Sequence, residues 1–202
     1  MIYIQHRVNT LKELRNIPLE YGVEVDLRDN GHRLIMRHDP FEDGEDFEPF
    51  LAEFRNSGPL VLNIKSEGIE FRIIHLLEKF KVMNYFFLDC SFPMIRKLIS
   101  QGENQIAVRF SEFEPIESAL ALAGQVKWVW IDCFTKMPLT QKSYVQLKEK
   151  FKLCLVSPEL QGQPIANIKS FNDLIAPYPM DAICTKSPNV WLKNSFLKLN
   201  YF

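Results

Sequence analysis

The chain has 202 residues, of which 47% are hydrophobic, and its formal net charge is −1. This length and apolar content predict one compact core, and the near-neutral charge offers no general attraction to nucleic acid or to an anionic membrane. No apolar run is long enough to span a bilayer, and the segment MIYIQHRVNT lacks the features of a signal peptide, so we expect a soluble cytoplasmic protein.

The four cysteines are widely spaced and form no CxxC pair. Each lies in or beside an apolar run, which predicts small buried side chains in a reducing compartment rather than a zinc site or a disulfide framework. They are Cys90, Cys133, Cys154 and Cys184.

Short apolar segments alternate with segments of helical spacing from the first residues onward. Segment 2–6 reads as a strand, and segment 9–21 has the spacing of a helix. Strand 23–27 continues through an Asn-Gly turn into 33–38, which predicts a β-hairpin.

The rest of the chain repeats this alternation. The predicted elements are helix 45–56, strand 59–65 with helix 69–82, strand 85–90 with helix 93–101, strand 105–110 with helix 115–125, strand 128–134 with helix 139–151, strand 153–157 with helix 166–176, and strand 181–186 with helix 188–197.

Eight strand–helix units with nearly continuous apolar strands predict a parallel sheet covered by helices. We expect a compact α/β fold, a (β/α)8 TIM barrel formed by 1–202 as a single domain, with a short hairpin extension after the second strand. An open doubly wound sheet is the alternative. That fold usually has fewer strands and often a glycine-rich first turn, and the segment HRVNT after the first strand contains no glycine.

Polar and ionisable side chains concentrate at the C-terminal ends of the predicted strands, whereas the N-terminal halves are apolar. In a (β/α)8 barrel the chemistry lies at the C-terminal ends, so this polarity predicts a charged site above an apolar core. The residues concerned are His6, Arg7, Glu24, Asp26, Arg28, His38, Asp39, Asn63, Lys65, Asp89, Arg109, Asp132, Glu159 and Lys186.

Glu24 and Asp26 are two residues apart, so they project from one face of the second predicted strand. Two adjacent carboxylates suit a hard divalent cation, Mg²⁺ or Ca²⁺. A buried charge network with Arg7, Arg28 or Arg109 explains the same spacing equally well.

His6 and His38 are the histidines at strand ends. Beside a carboxylate pair they suit an acid and a base acting on one bond, although a lone strand-end histidine is most often structural. Asp39 could orient an imidazole ring or bind its own backbone in a turn. His32 in the hairpin turn and His75 in a helix are expected to be solvated or structural.

The ordered motifs His6-Arg7, Glu24-x-Asp26 and His38-Asp39-Pro40 resemble the HR…ExD…HD pattern of the glycerophosphodiester phosphodiesterase family, which has a phosphatidylinositol-phospholipase-C-like barrel. Three further segments are similar to the family pattern: NTL at 9–11, LNIK at 62–65 and ICTKSP at 183–188.

The resemblance implies a phosphoric diester hydrolase with a small-molecule phosphodiester substrate and a divalent cation, Mg²⁺ or Ca²⁺, as cofactor. It also implies roles for six residues: acid and base for His6 and His38, metal binding for Glu24 and Asp26, and contact with phosphate oxygens for Arg7 and Lys65.

Asn63 stands where the family usually has a third metal carboxylate. Its carbonyl oxygen could serve as a metal ligand with one negative charge fewer. Glu67, Asp132 or Glu159 could compensate for the missing charge.

Three hypotheses follow. The first is a divalent-metal-assisted phosphodiesterase that acts on a small glycerophosphodiester-like substrate. The second is a non-catalytic or weakly active relative that binds a phosphorylated metabolite or a protein partner. The third keeps the enzyme but replaces the metal with an arginine, Arg28 or Arg109. An oligomer is compatible with all three.

Overall fold

A computed structural model describes residues 1–199, with side chains as far as residue 193. The chain divides into two compact units, which we describe separately. The N-terminal unit is His6–Ala107, and the C-terminal unit combines Met1–Gln5 with the chain from Val108 onward.

The N-terminal unit contains a mixed sheet in the order β4-β3-β2-β5-β6. β2 pairs in parallel with β5, and β5 with β6, whereas β3 and β4 are added antiparallel. The strands are β2 (Gly22–Asn30), β3 (Arg33–Met36), β4 (Glu45–Asp46), β5 (Leu60–Ile64) and β6 (Tyr85–Leu88).

The predicted hairpin is confirmed. Asn30 pairs with Arg33, which leaves Gly31 and His32 as a two-residue loop. Gly31 has φ +60°, a conformation that glycine adopts without steric cost at the first loop position of a tight hairpin turn.

Four helices pack within the N-terminal unit, and the first two are shorter than their patterns predict. They are α1 (Leu11–Leu14), α2 (Phe47–Glu53), α3 (Glu70–Phe80) and α4 (Phe92–Ser100). The Thr10 side chain accepts the Glu13 N–H and so caps α1. α2 begins two residues late because Asp46 pairs with Ile35 as part of a strand.

The C-terminal unit contains a sheet in the order β1-β10-β9-β8-β7. β1 pairs with β10, β10 with β9, and β9 with β8, all in parallel. The strands are β1 (Ile2–Gln5), β7 (Ala107–Phe110), β8 (Trp128–Ile131), β9 (Lys152–Val156) and β10 (Ala182–Thr185). The helices are α5 (Ile116–Leu120), α6 (Gln141–Lys148), a 3-10 helix (Pro158–Gln161), α7 (Asn167–Leu174) and α8 (Pro188–Leu199).

Parallel strands that alternate with helices are therefore confirmed within each unit. All residues from Gly22 to Leu27 of β2 are buried, as expected for a parallel strand covered on both faces. The closed (β/α)8 barrel and the single domain over 1–202 stay predictions. Within residues 1–199, no helix combines the length and apolarity needed to cross a bilayer.

The cysteines are all free thiols. Cys133, Cys154 and Cys184 are buried, as predicted, and Cys90 is half-buried. Burial raises the pKa of the Cys154 thiol well above its ordinary value, so this side chain remains a neutral apolar group at physiological pH.

Leu62, at the centre of β5, has no exposed surface, and we expect Leu62→Ala to lower the free energy of unfolding by about 2–5 kcal/mol because it leaves a cavity. Leu19→Ala is the matched control, since Leu19 is exposed in the same unit and should change stability by less than about 0.5 kcal/mol. Urea unfolding measures both, and equal losses would contradict this placement of the core.

Candidate functional site

Two carboxylates are buried side by side on β2. Glu24 has 0% and Asp26 has 1% of its surface exposed, and the β2–β5 register places Asn63 directly opposite Asp26. Two charged groups withdrawn from water need hydrogen bonds or cations around them. The N-terminal unit supplies both.

Glu24 is bound through both of its oxygens. The Arg7 backbone N–H donates to Oε2 over 2.7 Å, and the Asn63 side-chain amide donates to Oε1, also over 2.7 Å. His6 Nε2 lies 3.8 Å from Oε2. Glu24 is therefore the member of the buried carboxylate pair that lies beside an imidazole.

Arg7 is held in a left-handed backbone conformation, with φ +57°. A non-glycine residue in this region is strained and persists only where its surroundings enforce the conformation. Here the Arg7 N–H binds the Glu24 carboxylate, and the following Val8 N–H donates to the Glu24 carbonyl oxygen over 2.8 Å. The same residue thus binds the site through its backbone and presents its guanidinium to Asp26.

Asp26 has amide and cationic neighbours. The Asn9 amide donates to Oδ2 over 2.9 Å, while the Asn9 oxygen accepts the Asp26 backbone N–H, also over 2.9 Å. Asn63 donates to Oδ1 over 3.2 Å. Arg7 Nε lies 3.3 Å from Oδ2, and Lys65 Nζ lies 3.7 Å from Oδ1.

Burial and, to a smaller extent, the nearby Asp26 charge raise the pKa of the Glu24 carboxyl to about 7. The hydrogen bonds from Asn63 and from the Arg7 backbone lower this pKa, as does the Lys65 charge, but they do not offset the loss of hydration. Glu24 consequently exchanges its proton close to neutral pH.

The nitrogen of the Asn63 side-chain amide faces the two carboxylates. Its own oxygen, Oδ1, is buried and has no hydrogen-bond partner among the described residues. Rotating the amide by 180° would direct Oδ1 toward Glu24 and Asp26 and so complete a set of three oxygen ligands, which suits Mg²⁺ or Ca²⁺. The donor set fits a divalent cation in that orientation, although residues 1–199 contain no cluster of three or more His, Cys, Asp and Glu residues that could hold one.

His38 lies just beyond β3 and is hydrogen-bonded through its side chain and through its backbone. Its Nδ1 is 2.8 Å from Asp39 Oδ1, and its carbonyl oxygen accepts from the Arg28 guanidinium over 3.0 Å. The bond to His38 lowers the pKa of the Asp39 carboxyl. His38 and Arg7 line a cleft of about 540 Å³. His32 and His75 are exposed, as predicted.

Lys65 and Asp89 form an ion pair at the ends of β5 and β6, with Nζ 3.4 Å from Oδ2. The structure thus brings together His6, Arg7, Glu24, Asp26, Asn63 and Lys65, all within the N-terminal unit. Two partners received no role from the sequence: Asn9, which appeared as the start of a predicted helix and of the NTL segment, and Asp89, which was one of many strand-end charges.

The remaining strand-end charges have partners of their own. Glu67 accepts from the Ser91 hydroxyl. In the C-terminal unit the buried Asp132 accepts from Arg109 and, over 2.7 Å, from Gln161.

Glu159, in the same unit, accepts from the Thr185 hydroxyl over 2.5 Å and from the Lys186 N–H over 3.1 Å. Glu67, Asp132 and Glu159 thus each accept a hydrogen bond from another side chain. The hypothesis that one of them compensates for Asn63 stays a prediction.

Two crystal structures from Agrobacterium tumefaciens str. C58 share this fold. The first, of a glycerophosphodiester phosphodiesterase, is 14% identical with a TM-score of 0.69, covering 96% of this chain and 99% of that chain. The second, of a protein named as a glycerophosphoryl diester phosphodiesterase, is 13% identical with a TM-score of 0.72, covering 98% of each chain. No family model and no curated protein sequence matches the chain. The resemblance inferred from the motifs is thus confirmed at the level of the fold.

The raised pKa of Glu24 makes stability depend on pH. The Glu24 contribution to the free energy of unfolding is complete below pH 4.5, the ordinary value, and is lost as the pH rises to about 7. Glu24→Gln has no ionisable group at this position, so its free energy of unfolding should not fall with pH for this reason. Between pH 4.5 and about 7 we therefore expect the stability of Glu24→Gln relative to the wild type to increase by on the order of 3 kcal/mol.

Urea unfolding in EDTA between pH 4.5 and 8 measures this difference. Glu20→Gln, an exposed carboxyl in the same unit, is the control and should follow the wild type. A pH-independent difference between Glu24→Gln and the wild type would show that burial does not perturb this group.

Proposed function

We propose that the protein is a phosphodiesterase that hydrolyses a small glycerophosphodiester-like substrate. The observation that carries the proposal is the buried Glu24–Asp26 pair, contacted by His6, Arg7 and Lys65. The fold shared with two glycerophosphodiester phosphodiesterases supports the same reaction class.

Arg7 and Lys65 would bind the non-bridging oxygens of the phosphate. Both cations lie beside Asp26, and their side chains keep 40% and 17% of their surface exposed, so each can reach a ligand. A guanidinium and an ammonium provide charge-assisted hydrogen bonds to an anion whose charge increases in the transition state.

His38 and His6 would transfer protons. When Asp39 accepts the Nδ1–H of His38, Nε2 remains as the basic atom, in the tautomer that a general base requires. His6 Nε2 lies 3.8 Å from Glu24, whose carboxyl group would orient the imidazole for its role as general acid. One imidazole would remove a proton from the attacking substrate hydroxyl next to the phosphate, and the other would protonate the leaving alcohol oxygen. Water would then open the resulting cyclic phosphate and complete the hydrolysis.

A divalent cation, Mg²⁺ or Ca²⁺, would be held by Glu24, Asp26 and the Asn63 carbonyl oxygen. When bound, it supplies Lewis-acid neutralisation of charge on the phosphate. For the version without a metal, Arg7 and Lys65 are cations of the N-terminal unit that contact Asp26. Arg28 donates to the His38 carbonyl oxygen, and Arg109 binds Asp132.

The alternative function is a non-catalytic relative that binds a phosphorylated metabolite or a protein partner. Asn63 favours it, because the amide supplies one negative charge fewer than a carboxylate and its nitrogen faces the buried pair. This version predicts phosphate-ester binding without turnover at any cation concentration.

Removing either imidazole should abolish most of the activity. We expect His38→Ala and His6→Ala to lower kcat on glycerophosphodiesters by about 10²–10⁴-fold, the usual contribution of a positioned acid or base. Assays contain Mg²⁺ or Ca²⁺ and follow release of the alcohol.

His75→Ala is the matched control, because His75 is exposed on α3 and should retain wild-type turnover. Full activity in His38→Ala would refute the catalytic assignment. No turnover by the wild type, combined with measurable binding of phosphate esters, would favour the alternative function.

Asn63 offers a direct test of the cation site. Asn63→Asp adds a third carboxylate of the same shape, so we expect lower stability in EDTA from charge repulsion and a larger increase in Tm than the wild type when Mg²⁺ or Ca²⁺ is added.

Asn104→Asp, on an exposed loop residue of the same unit, is the control and should show no additional response to the cations. Identical cation responses in Asn63→Asp and the wild type would count against metal binding between Glu24 and Asp26.

A further inference from the structure

The Lys65 ammonium is held between two carboxylates on different strands. Its Nζ lies 3.7 Å from Asp26 Oδ1 and 3.4 Å from Asp89 Oδ2, and only 17% of the side chain is exposed. Lysine has four rotatable side-chain bonds, so a defined position for Nζ requires partners on more than one side.

The Lys65 ammonium has more hydrogen-bond donors than the two carboxylates use. An ammonium has three N–H groups. One faces Asp26 and one faces Asp89, and the described residues provide no further side-chain partner for Nζ. One N–H therefore remains for a ligand oxygen.

Asp89 reaches Lys65 because of its backbone. It follows the last residue of β6 and has φ +62°, in the left-handed region that aspartate and asparagine tolerate better than most residues. In the β5–β6 register Leu88 is opposite Asn63, so Asp89 lies one residue beyond that pair, at the level of the site. Its side chain is 25% exposed, so the carboxylate keeps contact with solvent.

The two carboxylates compete for the ammonium. With Asp26 as the remaining anion, Nζ would move into direct contact with it, because opposite charges attract more strongly in a buried site than in water. That contact would neutralise Asp26 and withdraw the donor from the phosphate.

We propose that Asp89 is a positioning residue that holds the Lys65 ammonium away from Asp26 and directs its remaining N–H to a substrate phosphate oxygen. This inference deepens the proposed function and depends on it. It also predicts the direction in which phosphate affinity changes when the Asp89 charge is removed. Simple electrostatics expects an anion to bind more tightly once a neighbouring carboxylate is removed, whereas positioning expects weaker binding.

The experiment is a double-mutant cycle with Asp89→Asn and Lys65→Met. Asparagine keeps the size of the side chain and tolerates the left-handed backbone, so Asp89→Asn removes the charge with little added strain. Calorimetry measures the Kd of inorganic phosphate, and steady-state kinetics on a glycerophosphodiester measures kcat and KM.

We expect Asp89→Asn to weaken phosphate binding by roughly three- to tenfold, the net scale of one ordinary hydrogen bond, because the ammonium donor is redirected and not removed, and to raise KM in parallel. In the Lys65→Met background the same change should have no further effect. Asp29→Asn, which removes an exposed charge from β2 in the same unit, is the control and should bind phosphate like the wild type.

Tighter phosphate binding in Asp89→Asn, or an equal loss in the Lys65→Met background, would overturn the inference. A wild type that binds phosphate but hydrolyses no diester would overturn the proposed function, and the phosphate cycle would still decide the role of Asp89. A wild type that binds no phosphate would overturn the positioning role directly.

Discussion

Two neighbouring carboxylates buried on one strand impose the strongest constraint on the N-terminal unit. Desolvation of each ion costs several kcal/mol unless donors or cations replace water. Short-range contacts offset this desolvation. The Arg7 N–H and the Asn63 amide donate hydrogen bonds to Glu24. Asn9 donates to Asp26, and the cationic side chains of Arg7 and Lys65 lie beside it. Much of the local conformation, including the strained backbone at Arg7, follows from satisfying these two groups.

The sheet determines which of these contacts are possible. Parallel pairing of β2 with β5 places Asn63 opposite Asp26, and the two-residue repeat of β5 then points Lys65 to the same side. The fold thus brings a carboxylate pair, an amide and a cation together through strand register alone. Arg7, Asn9 and His38 lie outside the strands, so their positions depend on loop conformation.

The sequence predicted most of the architecture because hydrophobic periodicity reports burial directly. It also identified the strand-end residues around the buried Glu24–Asp26 pair, since alternation along a strand fixes which side chains share a face. Helix ends were less accurate: the extent of α1 depends on capping and tertiary contacts. The roles of Asn9 and Asp89 and the orientation of the Asn63 amide could not be predicted, because they depend on side-chain rotamers and on contacts between distant segments.

The contacts of Arg7 and Asn9 have a consequence for variation in chain length. Arg7 binds Glu24 and Asn9 binds Asp26, so two positions separated by two residues are matched to another two with the same separation. Val8 also donates to the Glu24 backbone between them. One residue inserted or deleted at position 8 would put this segment out of phase with β2, so this stretch should tolerate substitutions far better than insertions or deletions.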